Sequence, residues 1–157
     1  ALIQDLDPAK TEIALVTNPR CTPEESISEI LYELGHEEEL TERAQIVHRL
    51  HEVLSENFEA GKNILVVNDE GQLMKDPAEL EELRLRLNYQ LDDAFLVSLL
   101  LVGQPALGQQ IRDFPPRDQR VVTRGHLKPL SVEEVRKHIE HRLMTAGRTE
   151  SIFTRGA

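Results

Sequence analysis

Two short runs constrain this chain more than any other feature. Ile64-Leu65-Val66-Val67 and Leu99-Leu100-Leu101-Val102 are apolar at every position. A strand with one wet face alternates apolar and polar residues. A strand that is apolar throughout is covered on both faces, as in a parallel sheet flanked by helices. The first run lies within Asn63 to Asn68 and the second within Leu96 to Val102. Ile13 to Thr17 and Val121 to Leu127 read as further strands of the same sheet.

Helix signals stand between these runs. Thr22-Pro23-Glu24-Glu25 has the form of a capping box with Pro in the first turn. The helix it opens places Ile27, Ile30, Leu31 and Leu34 on one face and stops at Gly35. A second amphipathic helix is predicted from Glu38 to Ala60, with Val47, Leu50, Leu54 and Phe58 on one stripe and Gly61 behind it. Asp76-Pro77 starts a third, with Leu80, Leu83, Leu87 and Leu91 in line. Ser131-Val132-Glu133-Glu134 starts a fourth, with Val132, Val135, Ile139 and Leu143 in line and Gly147 after it. Asp113-Phe114-Pro115-Pro116-Arg117 reads as a rigid connector. The alternation of strands and helices implies right-handed crossovers and a three-layer α/β domain around a parallel sheet.

Composition narrows the function classes. Aromatic residues are 4% with no Trp, which disfavours a base-stacking platform. The single cysteine, Cys21, excludes an internal disulfide framework and a Cys-rich zinc site. His48/His51 and His138/His141 are spaced to share a helix face, but zinc needs further ligands and no Cys is near. No run approaches the roughly 18 apolar residues that span a membrane. The opening Ala-Leu-Ile-Gln-Asp lacks a basic stretch and a Met, so no signal peptide is expected and the chain reads as processed or excised. Net charge is −10, unevenly spread. Residues 1–111 hold 8 Lys/Arg against 22 Asp/Glu, whereas residues 112–157 hold 10 against 6. An acidic body and a basic C-terminal third are expected to meet different surfaces.

Ligands of parallel sheets bind beyond the carboxyl ends of the strands. Those ends carry Asn18-Pro19-Arg20, then Asp69-Glu70, then Gly103-Gln104-Pro105. An apolar strand ending in Asp-Glu is the Walker B pattern. The first carboxylate holds hydrated magnesium and the second accepts a proton from the attacking water. Strands also end in acidic residues simply because the chain leaves the core there, and on these two residues alone both readings stand. Gln104 at the next tip has the chemistry to touch a γ-phosphate or orient water. Arg117 and Arg120, before the last predicted strand, suit an arginine finger.

At several places the sequence resembles one family. Asn63 to Gln72 looks like its "LLLIDEAQ" segment, Leu80 to Tyr89 its "LEELRLLLNF" helix, and Leu101 to Leu107 its "LVGQPEL". Ile13 to Arg20 is similar to "VALVFNPR". Gln119-Arg120-Val121 with His126 to Glu134 is similar to "QRI…HLxPLSxEE", and His141-Arg142-Leu143 onward to "HRL…AG…IFT". The family is the AAA+ ATPases of the general secretion pathway protein A (ExeA-like) type, with relatives in pilus biogenesis and transposition. The resemblance implies an incomplete P-loop NTPase (AAA+/RecA-like) sheet, with an ATPase core over residues 1–128 and the start of a helical lid over 129–157. It implies Asp69 as the magnesium ligand, Glu70 as catalytic base, Gln104 as sensor 1, and Arg120, with Arg117 second, as arginine finger. It further implies ATP and Mg2+ as cofactors of the full-length protein and self-association into a ring. A secretion component of the inner membrane would be the partner, reached from the cytoplasmic face.

Three departures qualify it. The sequence holds no G-x-x-x-x-G-K-[ST], so no residue here is expected to cradle phosphates. The chain stops at Ala157, before the family's sensor-2 Arg. Asn68 stands where the family has an apolar residue, and Gly71 replaces Ala; this pair is expected to loosen the hold on Asp69. The alternatives are a noncatalytic interaction module on the same fold and a DNA-associated ATPase of the transposition type.

Overall fold

The computed structural model describes residues 5–17, 21–38, 40–74, 90–91, 94–113 and 121–148. It divides into two units, Ala1–Val121 and Val122–Ala157. In the first unit β1 (Thr11–Val16), β2 (Asn63–Asn68) and β5 (Val97–Leu101) form a parallel sheet in the order β1-β2-β5. A two-stranded antiparallel ribbon, β3 (Gln90–Leu91) with β4 (Ala94–Phe95), precedes β5. Helices α1 (Pro23–Glu33) and α2 (Arg43–Glu59) connect β1 to β2, and α3 (Pro105–Arg112) follows β5.

Register explains which side chains make the core. Ala14 lies beside Val66 and Val16 beside Asn68, while Val66 lies beside Leu99 across the other ladder. This row faces α1 and α2. Ala14, Val16, Ile64 and Val66 are buried there with Ile27, Ile30 and Leu31 of α1 and Ile46, Leu50, Val53 and Leu54 of α2. Each Val, Leu or Ile side chain among them contributes about 1.5–3 kcal/mol when fully buried. On the opposite face Ile13, Leu15 and Leu65 are half-buried and Val67 is buried. The outer edge of β1 is guarded by Glu33, whose carboxylate accepts from the Leu15 N–H at 3.4 Å.

The α1 start is the predicted capping box. Thr22 Oγ1 accepts from the Glu25 N–H at 3.2 Å, and Glu25 accepts from the Thr22 N–H at 2.7 Å. Its end is a Schellman closure. Gly35 takes φ +87°, His36 donates to the Leu31 carbonyl and Gly35 to that of Tyr32. The same bonding closes α2 around Gly61.

Several expectations are corrected. α2 begins at Arg43, not Glu38: Glu38 instead accepts from Arg49 Nε at 3.0 Å, and Leu40 packs against the core from the connecting loop. Its inward face is rotated toward Ile46 and Val53, leaving Phe58 exposed. Leu91 pairs in β3 and does not end a helix; the rest of the helix predicted from Asp76 lies outside the described residues. The fourth predicted strand, Val121 to Leu127, has no regular structure. Val122 and Leu127 are almost fully exposed, and among the described residues β5 has a ladder partner only in β2. A strand needs a neighbour to satisfy its backbone, and this segment has none there. Pro105 to Arg112, to which no element was assigned from the sequence, is helical and forms α3.

The second unit contains α4 (Val132–Thr145). Ser131 caps it through a second capping box, and Gly147 closes it at φ +78°.

Candidate active site

The carboxyl ends of the strands are stitched together by backbone. Asp69 donates its N–H to the Val16 carbonyl at 2.9 Å, continuing the β1–β2 ladder one step past β2. Val102 donates to the Asn68 carbonyl at 2.9 Å, and Gly71 donates to the Val102 carbonyl at 2.8 Å. The turn over residues 69–71 is thus held from both neighbouring tips. Asn68 does not loosen it: the side chain is wholly buried on the α1/α2 face, and its backbone carbonyl is bonded. The amide itself is unsatisfied, since neither Asn68 Oδ1 nor Nδ2 has a hydrogen-bond partner.

Glu70 sits at the apex with φ +54°, the one non-glycine residue at positive φ among those described. That conformation costs about 1–2 kcal/mol for an L-residue. Local bonds offset it: the Glu70 N–H donates to Asp69 Oδ1 at 2.8 Å, and its carbonyl accepts from Leu73 at 2.8 Å to form the 3-10 turn Gly71–Leu73. Gly71 is buried. A methyl group there would stand 3.2 Å from Leu107 Cδ2 and 3.3 Å from the Val102 carbonyl, so the turn packs directly on α3.

Gln104 is the N-cap residue of α3, with Pro105 behind it. Its backbone N–H donates to Gln72 Oε1 at 2.9 Å. Gln72 Nε2 in turn donates to a Glu70 carboxylate oxygen. The Gln72 carbonyl accepts from Gln110 Nε2 at 3.2 Å. The structure therefore brings Asp69, Glu70 and Gln104 to one end of the sheet and links the last two through Gln72. Asp69 is half-buried and Glu70 exposed. Arg117, Arg120 and Asn18-Pro19-Arg20 lie outside the described residues.

Gln72 is the residue that reading the sequence missed. Its signal was present: it is the first side chain after the Asp-Glu tip that carries both a donor and an acceptor. Asp69, half-buried at the tip with Oδ1 accepting from the Glu70 N–H, is a hard oxygen donor of the kind that serves magnesium in nucleotide sites, where one or two protein carboxylates and several waters complete the shell. Among the described residues no three His, Cys, Asp or Glu side chains gather into a fuller metal cage. The phosphate side of such a site is not supplied by these 157 residues, which contain no Gly-rich loop ending in Gly-Lys-Ser/Thr.

Comparison with known proteins bears on these tips. The model of the AAA domain family matches residues 1–111. General secretion pathway protein A of Aeromonas hydrophila is 35% identical over 157 residues, covering 98% of this chain and 28% of that protein. The chain therefore spans little more than a quarter of the curated relative it matches. Among solved structures, the ORC2 protein of Aeropyrum pernix in its ADPNP-ADP complexes is 18% identical with a TM-score of 0.67, over 87% of this chain and 37% of that one. Its ADP form is 19% identical with a TM-score of 0.68, at the same coverage. At those identities the likeness is one of fold.

Proposed function

This chain belongs to the AAA domain family, and from that premise we propose that it supplies the hydrolytic side of an ATP site in a protein of the general secretion pathway protein A type. The fold is an incomplete α/β fold of the AAA+/RecA-like P-loop NTPase kind, with a parallel sheet and flanking helices. The observation that carries the proposal is the joined pair of tips: Asp69-Glu70 after β2 and Gln104 after β5, held at one end of the sheet.

In this reading Asp69 holds the magnesium, which when bound neutralises charge on the phosphates. Glu70 accepts the proton of the attacking water through its carboxylate. Gln104, exposed at the neighbouring tip, orients that water or contacts the terminal phosphate. Arg120, with Arg117 second, reaches the nucleotide of an adjacent subunit in a ring; this assignment rests on the resemblance. Residues 1–128 form the ATPase core and residues 129–157 begin the lid. The work done is the assembly or energising of a secretion or pilus apparatus at the cytoplasmic face of the inner membrane. The 35% identity to the Aeromonas protein supports that context. No helix among the described residues is long and apolar enough to cross a membrane.

The test is phosphate release from ATP by the intact gene product, with and without magnesium. Magnesium-dependent release supports the reading. Nucleotide binding with no release favours the noncatalytic module.

A further inference from the structure

We propose that Gln72 is a positioning residue that sets the Glu70 carboxylate and ties it to the tip of β5; this rests on the ATPase reading given above. The side chain of Gln72 bridges two groups that need opposite partners. A backbone N–H, that of Gln104, can be met only by the amide oxygen, and a carboxylate, that of Glu70, only by the amide nitrogen. Both bonds are present, so the amide has a single satisfying orientation. Its backbone is fixed as well, by the 3-10 turn Gly71–Leu73 and by Gln110 Nε2 on its carbonyl.

The space around the amide is equally specified. A side chain on Gly103 would collide with Gln72 Oε1 and stand 3.0 Å from Leu107 Cδ2. The β5 tip is thus cut back to leave room for this one side chain. Glu70 is exposed, at the apex of a turn and in a strained backbone conformation, and without Gln72 its carboxylate has several rotamers open to it. A bridge of this form makes the position of the base depend on the position of Gln104. A shift of the β5 tip that breaks the Gln104–Gln72 bond frees the base, and one that keeps it holds the base in line.

The experiment is steady-state ATP hydrolysis by the intact gene product for four proteins: wild type, Gln72→Met, Glu70→Gln and the double variant. Met keeps the length of the side chain and removes both hydrogen bonds. Misplacing a catalytic group by about 1 Å costs on the order of 100-fold, so kcat of Gln72→Met is expected to fall by about 10- to 100-fold. The KM for ATP and the thermal midpoint are expected to stay near wild type. Gln72→Met is expected to add no further loss in the Glu70→Gln background, because it acts through Glu70. Gln72→Ala serves as the second variant and is expected to behave like Gln72→Met. An active wild type whose kcat is unchanged by Gln72→Met, or losses that multiply in the double variant, overturns the inference alone. A wild type that releases no phosphate with magnesium overturns the ATPase reading and this inference with it.

Discussion

Gly71 donates its backbone N–H to the carbonyl of Val102 at 2.8 Å, and this bond, with that from the Gln104 N–H to Gln72, fastens the turn after β2 to the tip of β5. Gly71 is buried against Leu107 there, and even a methyl group would be crowded. It places Asp69, Glu70 and Gln104 on a shared frame.

Asn68 is the frame's misfit. Its amide is wholly buried and makes no hydrogen bond, in a row otherwise apolar: Val16 on one side and Leu101 on the other. An unsatisfied buried polar group costs about 1–3 kcal/mol. Asn68→Leu, similar in shape, is therefore expected to raise stability by about that amount. Urea unfolding of the intact gene product checks it; an unchanged or lowered midpoint contradicts the assignment of Asn68 as unpaired.

Glu70 carries backbone strain that a glycine does not feel. Glu70→Gly and Glu70→Ala remove the same carboxylate, but only Ala keeps a Cβ at φ +54°. The Gly variant is expected to be the more stable of the two by about 1–2 kcal/mol. Equal midpoints in parallel thermal melts count against the left-handed conformation.

Much of the fold was legible, because its signals are local. The two apolar runs gave β2 to the residue, Thr22 and Ser131 gave their helix starts, and Gly35, Gly61 and Gly147 gave the stops. The errors came where a distant partner decides. Val121 to Leu127 has strand-like composition but forms no ladder among the described residues. Glu38 has the chemistry of a helix start but is occupied by Arg49. The places of Asp69, Glu70 and Gln104 at neighbouring strand tips were readable from the pattern of apolar runs. The bridge through Gln72 was not, because it consists of side-chain bonds to residues 2 and 32 positions away.

The Thr22 capping box is expected to contribute measurably to α1. Thr22→Ala removes the acceptor for the Glu25 N–H and is expected to cost about 1 kcal/mol. Thr22→Ser is expected to restore most of it. Both are read from denaturation midpoints, and a Ser variant as weak as Ala contradicts the cap.

In the second unit, the Ser131 hydroxyl and then the Ser131 N–H bond the Glu134 carboxylate, which lowers its pKa below the ordinary value. A carboxylate with a depressed folded pKa adds stability that is present above the unfolded pKa and is lost as pH falls through the folded one. The first turn of α4 is therefore expected to loosen in acid below the usual Glu range. Glu134→Gln is expected to abolish that acid dependence. NMR titration of the Ser131–Val135 amides checks it, and the same acid response in wild type and Glu134→Gln contradicts it.

In the proposed function Glu70, at the tip of β2, is the base of an ATP-hydrolysing site. Its most direct test is magnesium-dependent phosphate release from ATP by the intact gene product, compared between wild type and Glu70→Gln, with bound nucleotide measured in parallel. Release by wild type is expected, with a loss of about 10²- to 10⁴-fold in the variant and nucleotide binding retained. Release that Glu70→Gln leaves unchanged would contradict it.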